Sequence, residues 1–375
     1  MVGCSNDDVD DRRQTVKVEL APYAKGYGEV EQVMTRAATQ PAWAPEGFYL
    51  YPSLTGVGGI LTSNENAAIC VYFTKDNETP ERRKFSYTST KWVIDKEVTA
   101  GDYQLYGFVP YSAADVTTTT IEPYGGSFAN GAKLTLKGLN SVMSQDVCVV
   151  VGARHGTKEG NNDPVPVPTL RAGNFDCHFS ASADVNAPSN YVFMLFDHLY
   201  AALRFQFRVH ATYDALRTIK LRKLELLAYS DEECTTLMTK KVMTKVIVQK
   251  NNDGSLPIVN TISFEPDPDC DDEMEPVKVY DSEVWLRSDT WTDNIGFVPK
   301  SSSYYLLRST YDVYDKNGNL IRYNCTADNK IDPRRKFGKE SLDIGYLYTL
   351  KFIVQPTYLY VLSEPDLDNP TVVVD

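Results

Sequence analysis

The stretch YLYTLKFIVQPTYLYVLSEPDLDNPTVVVD, Tyr346 to Asp375, indicates how this chain folds. Up to Gln355 the residues alternate in polarity, which predicts a half-buried strand. Its predicted buried face consists of Tyr346, Tyr348, Leu350, Phe352 and Val354. A second β-rich run follows Pro356, and a third, Thr371 to Val374, follows the turn residues SEPDLDNP. An unpaired β-branched run is an aggregation hazard. We therefore expect the third run either to fold back on its own domain or to join another chain as an added strand.

The composition is typical of a globular protein with an acidic surface. The 375 residues suffice for about two domains. Hydrophobic residues make up 42% and charged residues 23%, which is ordinary for such domains. The net charge of -12 opposes attraction to phosphates, so nucleic acid is not an expected partner. No apolar run reaches the roughly 18 residues that a membrane-spanning helix needs.

Short alternating runs separated by turn residues recur along the chain, and they predict an all-β fold of two sandwich domains. The clearest runs are Ile69–Thr74, Lys91–Ile94, Asp102–Tyr111, Ala132–Leu139, Phe193–Val209, Ile219–Ala228 and Ser303–Tyr314. We predict a tether over residues 1–13, an N-terminal sandwich over 14–185 and a C-terminal sandwich over 186–375. Two hairpin turns are predicted, at Asn252 to Gly254 and at Lys316 to Gly318.

No spacing in the sequence predicts a catalytic, metal or cofactor site. The acidic run Asp267 to Pro276 offers oxygen ligands suited to calcium, with a solvated loop as the alternative. Asp315, Asn317 and Asn319 resemble the start of a calcium loop, but Gly318 is placed for a hairpin turn. The histidines are isolated in sequence and are predicted to be packed rather than catalytic: His155, His178, His198 and His210.

The N-terminal region contains two candidate processing signals. MVGC, ending at Cys4, with SNDDVDD behind it, resembles the end of a bacterial lipoprotein signal followed by an acidic tether. The hydrophobic region that should precede such a cysteine is absent, which a truncated precursor would explain. A chance Gly-Cys pair is the alternative. The other six cysteines form no CxxC pair and are expected either to pair or to be small buried residues. In VMTRAATQPAW, Arg36 lies among small and polar residues, which predicts an exposed loop that a trypsin-like protease can cut.

Several of these stretches together resemble a known family. Four stretches have the order and spacing found in the fimbrillins. They are TRA (Thr35 to Ala37), GDYQLYGFVPY (Gly101 to Tyr111), FDHLYAALRFQFRV (Phe196 to Val209) and the terminal stretch from Tyr348 onward. Fimbrillins are the subunits of type V pili on anaerobic Gram-negative bacteria. The resemblance spans nearly the whole chain but leaves out Cys270 to Trp291.

The resemblance implies two tandem transthyretin-like β-sandwich domains and export to the outer membrane as a lipoprotein. It also implies cleavage after an arginine, which removes the first strand and leaves a groove that a neighbour's terminal strand fills. Cys4 would carry the lipid, and the cut would fall between Arg36 and Ala37. The implied removable strand contains Val16, Val18 and Leu20. The implied donor strand residues are Tyr358, Tyr360, Leu362, Val372 and Val374.

The implied partners are other fimbrial subunits, a trypsin-like processing protease and a host or bacterial surface ligand, with no cofactor, no metal and no enzymatic activity. Two alternatives stay open. One is a monomeric, outer-membrane-anchored carbohydrate-binding or adhesin sandwich, which an exposed aromatic platform would favour. The other is a hydrolase on a sandwich scaffold, which a cleft with two facing carboxylates would favour.

Overall fold

The computed structural model describes residues 14–29, 42–50, 68–88, 91–157, 163–181, 190–251, 259–270, 276–299, 304–332, 337–339, 341–354 and 372–374. Several predicted features lie outside these residues: Cys4, Arg36, Ala37, the turn at Asn252 to Gly254, and Tyr358, Tyr360 and Leu362. Strands dominate the described part, so the predicted all-β sandwich class is confirmed.

The strands of the first half are β1 (Thr15–Val16), β2 (Glu19–Lys25), β3 (Gly28–Glu29), β4 (Phe48–Leu50), β5 (Ile69–Thr74), β6 (Glu81–Thr88), β7 (Lys91–Ile94), β8 (Val98–Thr99), β9 (Gly101–Val109), β10 (Thr120–Pro123), β11 (Gly131–Leu139), β12 (Cys148–Thr157), β13 (Val165–Pro166) and β14 (Asp176–Phe179). Those of the second half are β15 (Tyr191–His198), β16 (Tyr200–Val209), β17 (Arg217–Tyr229), β18 (Val242–Gln249), β19 (Val259–Pro266), β20 (Val277–Trp285), β21 (Asn294–Pro299), β22 (Tyr304–Asp315), β23 (Leu320–Ile331), β24 (Tyr346–Val354) and β25 (Val372–Val374). The helical elements that lie wholly within the described residues are α1 (Ala211–Asp214) and 3-10 turns at Tyr124–Gly126 and Phe128–Asn130.

The largest sheet closes on itself. Its order is β13-β12-β15-β2-β7-β6-β5-β9-β14, and β9 pairs again with β12 through Val109 opposite Cys148 and Phe108 opposite Val149. We call the closed part, β12-β15-β2-β7-β6-β5-β9, the ring. A four-stranded sheet, β10-β11-β18-β19, shares one hydrophobic core with it, in which Leu134 and Val246 join ring residues such as Phe108.

A second hydrophobic core lies between two further sheets. One has the order β21-β16-β24-β25, with β3 also paired to β24, and the other has the order β20-β17-β22-β23. Phe207 and Phe352 stack at 4.7 Å between ring centroids on the first of these sheets, and Leu221 and Tyr311 contribute from the second. Each core is therefore covered by two sheets, as in a sandwich.

The predicted strand Phe193–Val209 is two strands, which meet at Leu199. β15 belongs to the ring, whereas β16 belongs to the sheet that holds β24. Beyond this point β18 returns to pair with β11, and β19 pairs with β18, so residues on both sides of position 186 share sheets. The division of the chain into residues 14–185 and 186–375 stays a prediction.

The predicted C-terminal strand forms as β24, with one difference. Tyr348, Leu350, Phe352 and Val354 are buried as expected, but Tyr346 is 44% exposed and Leu347 is buried in its place. β3 pairs with β24 at this end, opposite Tyr346 and Leu347. Leu347 there joins the larger core, whereas Tyr348 joins the second core. At its start, β24 therefore buries neighbouring side chains in two different cores, so burial there does not alternate between one buried and one exposed face.

The predicted hairpin at Lys316 to Gly318 connects β22 and β23. Gly318 has φ of +85°, a conformation that glycine adopts without strain. The Asp315 carboxylate accepts hydrogen bonds from the backbone N–H groups of Asn317 and Asn319, each at 2.8 Å. The side-chain amide of Asn319 also donates to it at 2.8 Å. These oxygen and nitrogen atoms are thus used by the turn, as the hairpin interpretation predicts.

We expect Gly107→Ala to lower the free energy of unfolding by about 1–3 kcal/mol or more. A Cβ atom at Gly107 would lie 2.0 Å from the carbonyl oxygen of Cys70 on β5, so the two ring strands would have to separate. Gly318→Ala is the control, because it meets no atom within 4 Å and carries only a backbone cost of about 1 kcal/mol. Chemical denaturation of both variants provides the comparison. Equal losses would show that the contact between β5 and β9 does not require a glycine.

Candidate functional site

The N-terminal segment (residues 14–29) supplies a strand in the middle of the ring. On one edge β2 pairs in parallel with β15, from Glu19 opposite Tyr191 to Ala24 opposite Phe196. On the other edge it pairs with β7 at its start and with β4 at its end. Pro22 lies between these two partial partners, where no ladder needs its missing N–H group. β2 thus occupies a slot bounded on both sides by strands from later in the chain.

The residues predicted for the removable strand are all buried. Val16, Val18 and Leu20 are 7%, 1% and 5% exposed and belong to the larger core. They do not lie on one strand, because Val16 is on β1, which pairs with β8, whereas Leu20 is on β2, which continues beyond it as far as Lys25. The strand from Ala21 to Lys25 was not predicted, because the residues APYAK do not alternate in polarity. Tyr23, on the opposite face from Leu20, is buried against Trp43, with ring centroids 5.4 Å apart.

A buried polar cluster holds the end of β2. His198, the last residue of β15, has Nδ1 2.8 Å from Oδ2 of Asp146 and 3.4 Å from Sγ of Cys148. Its Nε2 lies 2.7 Å from the carbonyl oxygen of Lys25. A carbonyl only accepts, so Nε2 carries a proton and donates it. The Tyr27 ring stacks on the imidazole with centroids 3.7 Å apart. We call Asp146, Cys148 and His198 the polar cluster.

Burial and charge set the protonation of this cluster. Burial opposes a charge on His198, but the adjacent Asp146 carboxylate outweighs it and raises the histidine pKa. Burial, reinforced by the Asp146 charge, raises the pKa of the Cys148 thiol and of the Tyr27 phenol well above their ordinary values. The thiol and the phenol are therefore neutral. The 2.8 Å contact between His198 Nδ1 and Asp146 Oδ2 is a hydrogen bond, so one proton lies between these two atoms.

Further contacts hold the N-terminal segment on either side of the polar cluster. The Lys25 ammonium lies 3.1 Å from Oδ2 of Asp197. The backbone N–H of Gly28 donates to the carbonyl of Gly345 at 2.9 Å, just before β24. The segment therefore pairs with strands of two sheets, through β2 in the ring and through β3 beside β24.

The C-terminal strand lies on the same edge of β24 as β3. β25 runs antiparallel to the end of β24, with Val372 opposite Val354 and Val374 opposite Phe352. Of the predicted donor residues, Val372 and Val374 are thus paired with their own chain. Whether this strand can be donated stays a prediction.

The other residues singled out in the sequence have local roles, and two of them are in contact, since the backbone N–H of His178 donates to Nδ1 of His155 at 3.1 Å. His210 caps α1, with Nδ1 accepting from the N–H of Thr212 at 3.3 Å. His178 pairs with Asp102 at 2.8 Å on the surface. In the acidic run, Asp267 is buried and accepts from the N–H of Gly138 at 2.8 Å. The six described cysteines form no disulfide: Cys70, Cys148 and Cys177 are buried, and Cys234, Cys270 and Cys325 are half-buried.

An exposed aromatic face lies on the outer side of the β20-β17-β22-β23 sheet. Trp285 is 42% exposed and its ring meets that of Tyr314 edge-on at 4.9 Å. The Lys220 ammonium lies 5.0 Å from the centre of the Trp285 ring and 2.6 Å from the Glu283 carboxylate. Tyr323, 58% exposed, has the Arg222 guanidinium 5.2 Å from its ring centre. We call Trp285, Tyr314 and Tyr323 the aromatic face.

Among the residues that the structure describes, no helix is both long and apolar enough to cross a membrane.

Comparisons with known proteins give similarity at the level of structure. No protein-family model matches the chain, and no curated protein matches it in sequence. A solved structure described as a cell adhesion protein of Bacteroides fragilis is 11% identical, with 96% of this chain and 97% of that chain covered and a TM-score of 0.41. The fimbrial anchor protein Mfa2 of Porphyromonas gingivalis is 11% identical, with 95% of each chain covered and a TM-score of 0.27. A protein of Bacteroides thetaiotaomicron described as polysaccharide-binding is 11% identical, with 96% of each chain covered and a TM-score of 0.30. At these identities and TM-scores, the similarities assign the chain to no family.

Proposed function

We propose that this chain is a structural or adhesive subunit of a cell-surface fimbria that assembles by strand exchange. In this proposal Cys4 carries a lipid that anchors the precursor in the outer membrane. A trypsin-like protease then cuts between Arg36 and Ala37, and the terminal strand of a neighbouring subunit replaces the excised one. The partners are other fimbrial subunits, with a host or bacterial surface molecule as the adhesion ligand.

The observation that carries this proposal is the position of β2. Cleavage after Arg36 would separate β1, β2 and β3 from the rest of the chain, while β4, β7 and β15, which border β2, all follow the cut. Removal of β2 would therefore leave a slot with an unpaired strand edge on either side, a template for another strand.

The energetics of the slot favour refilling it. Val18, Leu20 and Ala24 are each at most 5% exposed in the slot. Each fully buried aliphatic side chain of valine or leucine size contributes about 1.5–3 kcal/mol. A strand that buries similar side chains and completes both ladders would form a stable joint without covalent bonds. A donor must also place a carbonyl where Lys25 has one, since His198 Nε2 would otherwise be a buried donor without a partner.

The first prediction concerns processing. Mild trypsin treatment should produce a compact fragment beginning at Ala37, and this fragment should form a ladder on a gel run without boiling. Arg36→Gln should remain uncut at this position and stay monomeric. Mass spectrometry identifies the new N-terminus. Resistance of the bond after Arg36 while other sites are cut, or a cut fragment that never polymerises, would contradict the proposal.

The second prediction concerns the terminal strand. Deleting residues 369–375, or combining Val372→Asp with Val374→Asp, should leave the melting temperature of the uncut monomer unchanged and abolish its ladder after cutting. Burying a charge in the apolar slot is costly. The pairing of β25 with β24 involves only three residues of each strand, so it contributes little to the stability of the monomer.

The control for this prediction is Val165→Asp, since Val165 is 45% exposed on β13 and should affect neither property. A synthetic peptide of residues 357–375 should also block the ladder. A large drop in the melting temperature of the uncut variant would instead make β25 a structural part of its own sheet.

The aromatic face supports a second candidate, a monomeric surface-anchored carbohydrate-binding sandwich. Exposed aromatic rings stack on apolar sugar faces, and Lys220 and Glu283 beside Trp285 offer hydrogen bonds to hydroxyl groups. This candidate needs neither cleavage nor a donated strand.

Binding of the uncut protein to a panel of neutral and acidic oligosaccharides tests this candidate. Trp285→Ala should weaken binding about tenfold, a change of about 1.4 kcal/mol. Tyr346→Ala, which truncates a 44% exposed aromatic residue on another sheet, should leave it unchanged. Absence of binding, or equal binding by both variants, would remove the candidate.

A further inference from the structure

The polar cluster has the composition of a metal site. A carboxylate from just before β12, a thiol on β12 and an imidazole on β15 converge, and their donor atoms all lie within 4.8 Å of one another. Oxygen, sulfur and nitrogen donors in one set suit Zn²⁺ best among common cations. The ligands are far apart in sequence, since His198 follows Cys148 by 50 residues.

The imidazole is already oriented as a ligand. Because Nε2 donates its proton to the Lys25 carbonyl, the lone pair available for a metal is on Nδ1, which faces Asp146 and Cys148. Metal-bound histidines typically donate their other N–H to a carbonyl or carboxylate, which fixes the tautomer and the ring orientation. The stacked Tyr27 ring further restricts the imidazole.

The Asp146 carboxylate has one oxygen atom that makes no hydrogen bond. The Asp146 side chain is 0% exposed, and its Oδ1 atom has no hydrogen-bond partner in the structure. A buried carboxylate oxygen without a partner is costly. If Asp146 binds through both oxygens, the cluster supplies four donor atoms, two from Asp146, one from Cys148 and one from His198, which is the number that Zn²⁺ prefers in closed sites.

We propose that Asp146, Cys148 and His198 bind one Zn²⁺ ion as a structural site. Binding releases two protons, the one shared by Asp146 and His198 and the one on the Cys148 thiol. The product contains Zn²⁺, a carboxylate, a thiolate and a neutral imidazole, so its net charge is zero. The Asp146–His198 contact widens from 2.8 Å when the metal replaces the shared proton. The ligands lie on β15, on β12 and just before β12, so cleavage after Arg36 does not remove them.

The experiment uses the full chain with Cys4→Ser, which removes the one cysteine outside the described residues. Zn²⁺ alone is added to chelator-treated protein, both when folded and during refolding from denaturant, so that burial does not prevent entry. Bound metal is counted by elemental analysis after gel filtration, and Co²⁺ is substituted to detect a thiolate-to-metal charge-transfer band. Cys148→Ser is the test variant, and Cys177→Ser, which alters another buried cysteine, is its matched control.

We expect one zinc per chain in the parent and in Cys177→Ser, with the charge-transfer band in both. Cys148→Ser should lose the band and more than about 100-fold in zinc affinity. Zinc should also raise the melting temperature of the parent but not of Cys148→Ser. Failure of the refolded parent to retain zinc, retention by Cys148→Ser, or bound Co²⁺ without the band would overturn the proposal. If Cys148→Ser fails to fold, the parent's cobalt spectrum and zinc content still decide the outcome.

Discussion

The pairing of β2 on both edges is the constraint on which the large sheet depends. A closed ring has no free edge, so each strand satisfies its backbone groups through two neighbours. β2 is the first of these ring strands in the chain, yet β15, its parallel partner, lies about 170 residues later, as the 172-residue separation of Lys25 and Asp197 shows. The ring can therefore close only after just over half of the chain has been placed, since β15 ends at His198 of 375 residues. Its remaining strands do not depend on a covalent link to β2, because every one of them follows the N-terminal segment.

The polar cluster gives this arrangement its register. Apolar burial alone would allow β2 to slide along β15 by two residues, since such a shift keeps the same side chains facing the core. The bond from His198 Nε2 to the Lys25 carbonyl, with the Tyr27 ring stacked on the imidazole, selects one position. Buried polar groups often add little net stability but can fix a unique arrangement. Here that arrangement joins the end of β2 to the end of β15, beside the point where the chain passes from one core to the other.

Local alternation predicted much of the fold, and the missing parts are non-local. β5 and β7 begin and end as predicted, and the alternation in β24 holds from Tyr348 to Val354. The only local mark of the break at Leu199 is the polar pair Asp197 and His198 directly before it, within an otherwise apolar, strand-forming run. At this break the chain passes from one sheet to another, because β15 packs in the ring and β16 packs beside β24. The polar cluster was missed for a similar reason: Asp146 and Cys148 precede His198 by about 50 residues, and only the pairing of β12 with β15 brings them together.

The two ends of the described chain meet on a single edge. β24 has β16 on one side, and on the other it has β3 at Tyr346 and Leu347 and β25 from Phe352 to Val354. Between them, from Tyr348 to Leu350, this edge pairs with no strand in the part of the chain that the structure describes. Loss of the N-terminal segment would therefore open two places at once, the slot in the ring and the first part of this edge. A terminal strand that leaves β24 would lengthen the same opening, so in the proposed assembly the releases of the two ends are coupled through β24.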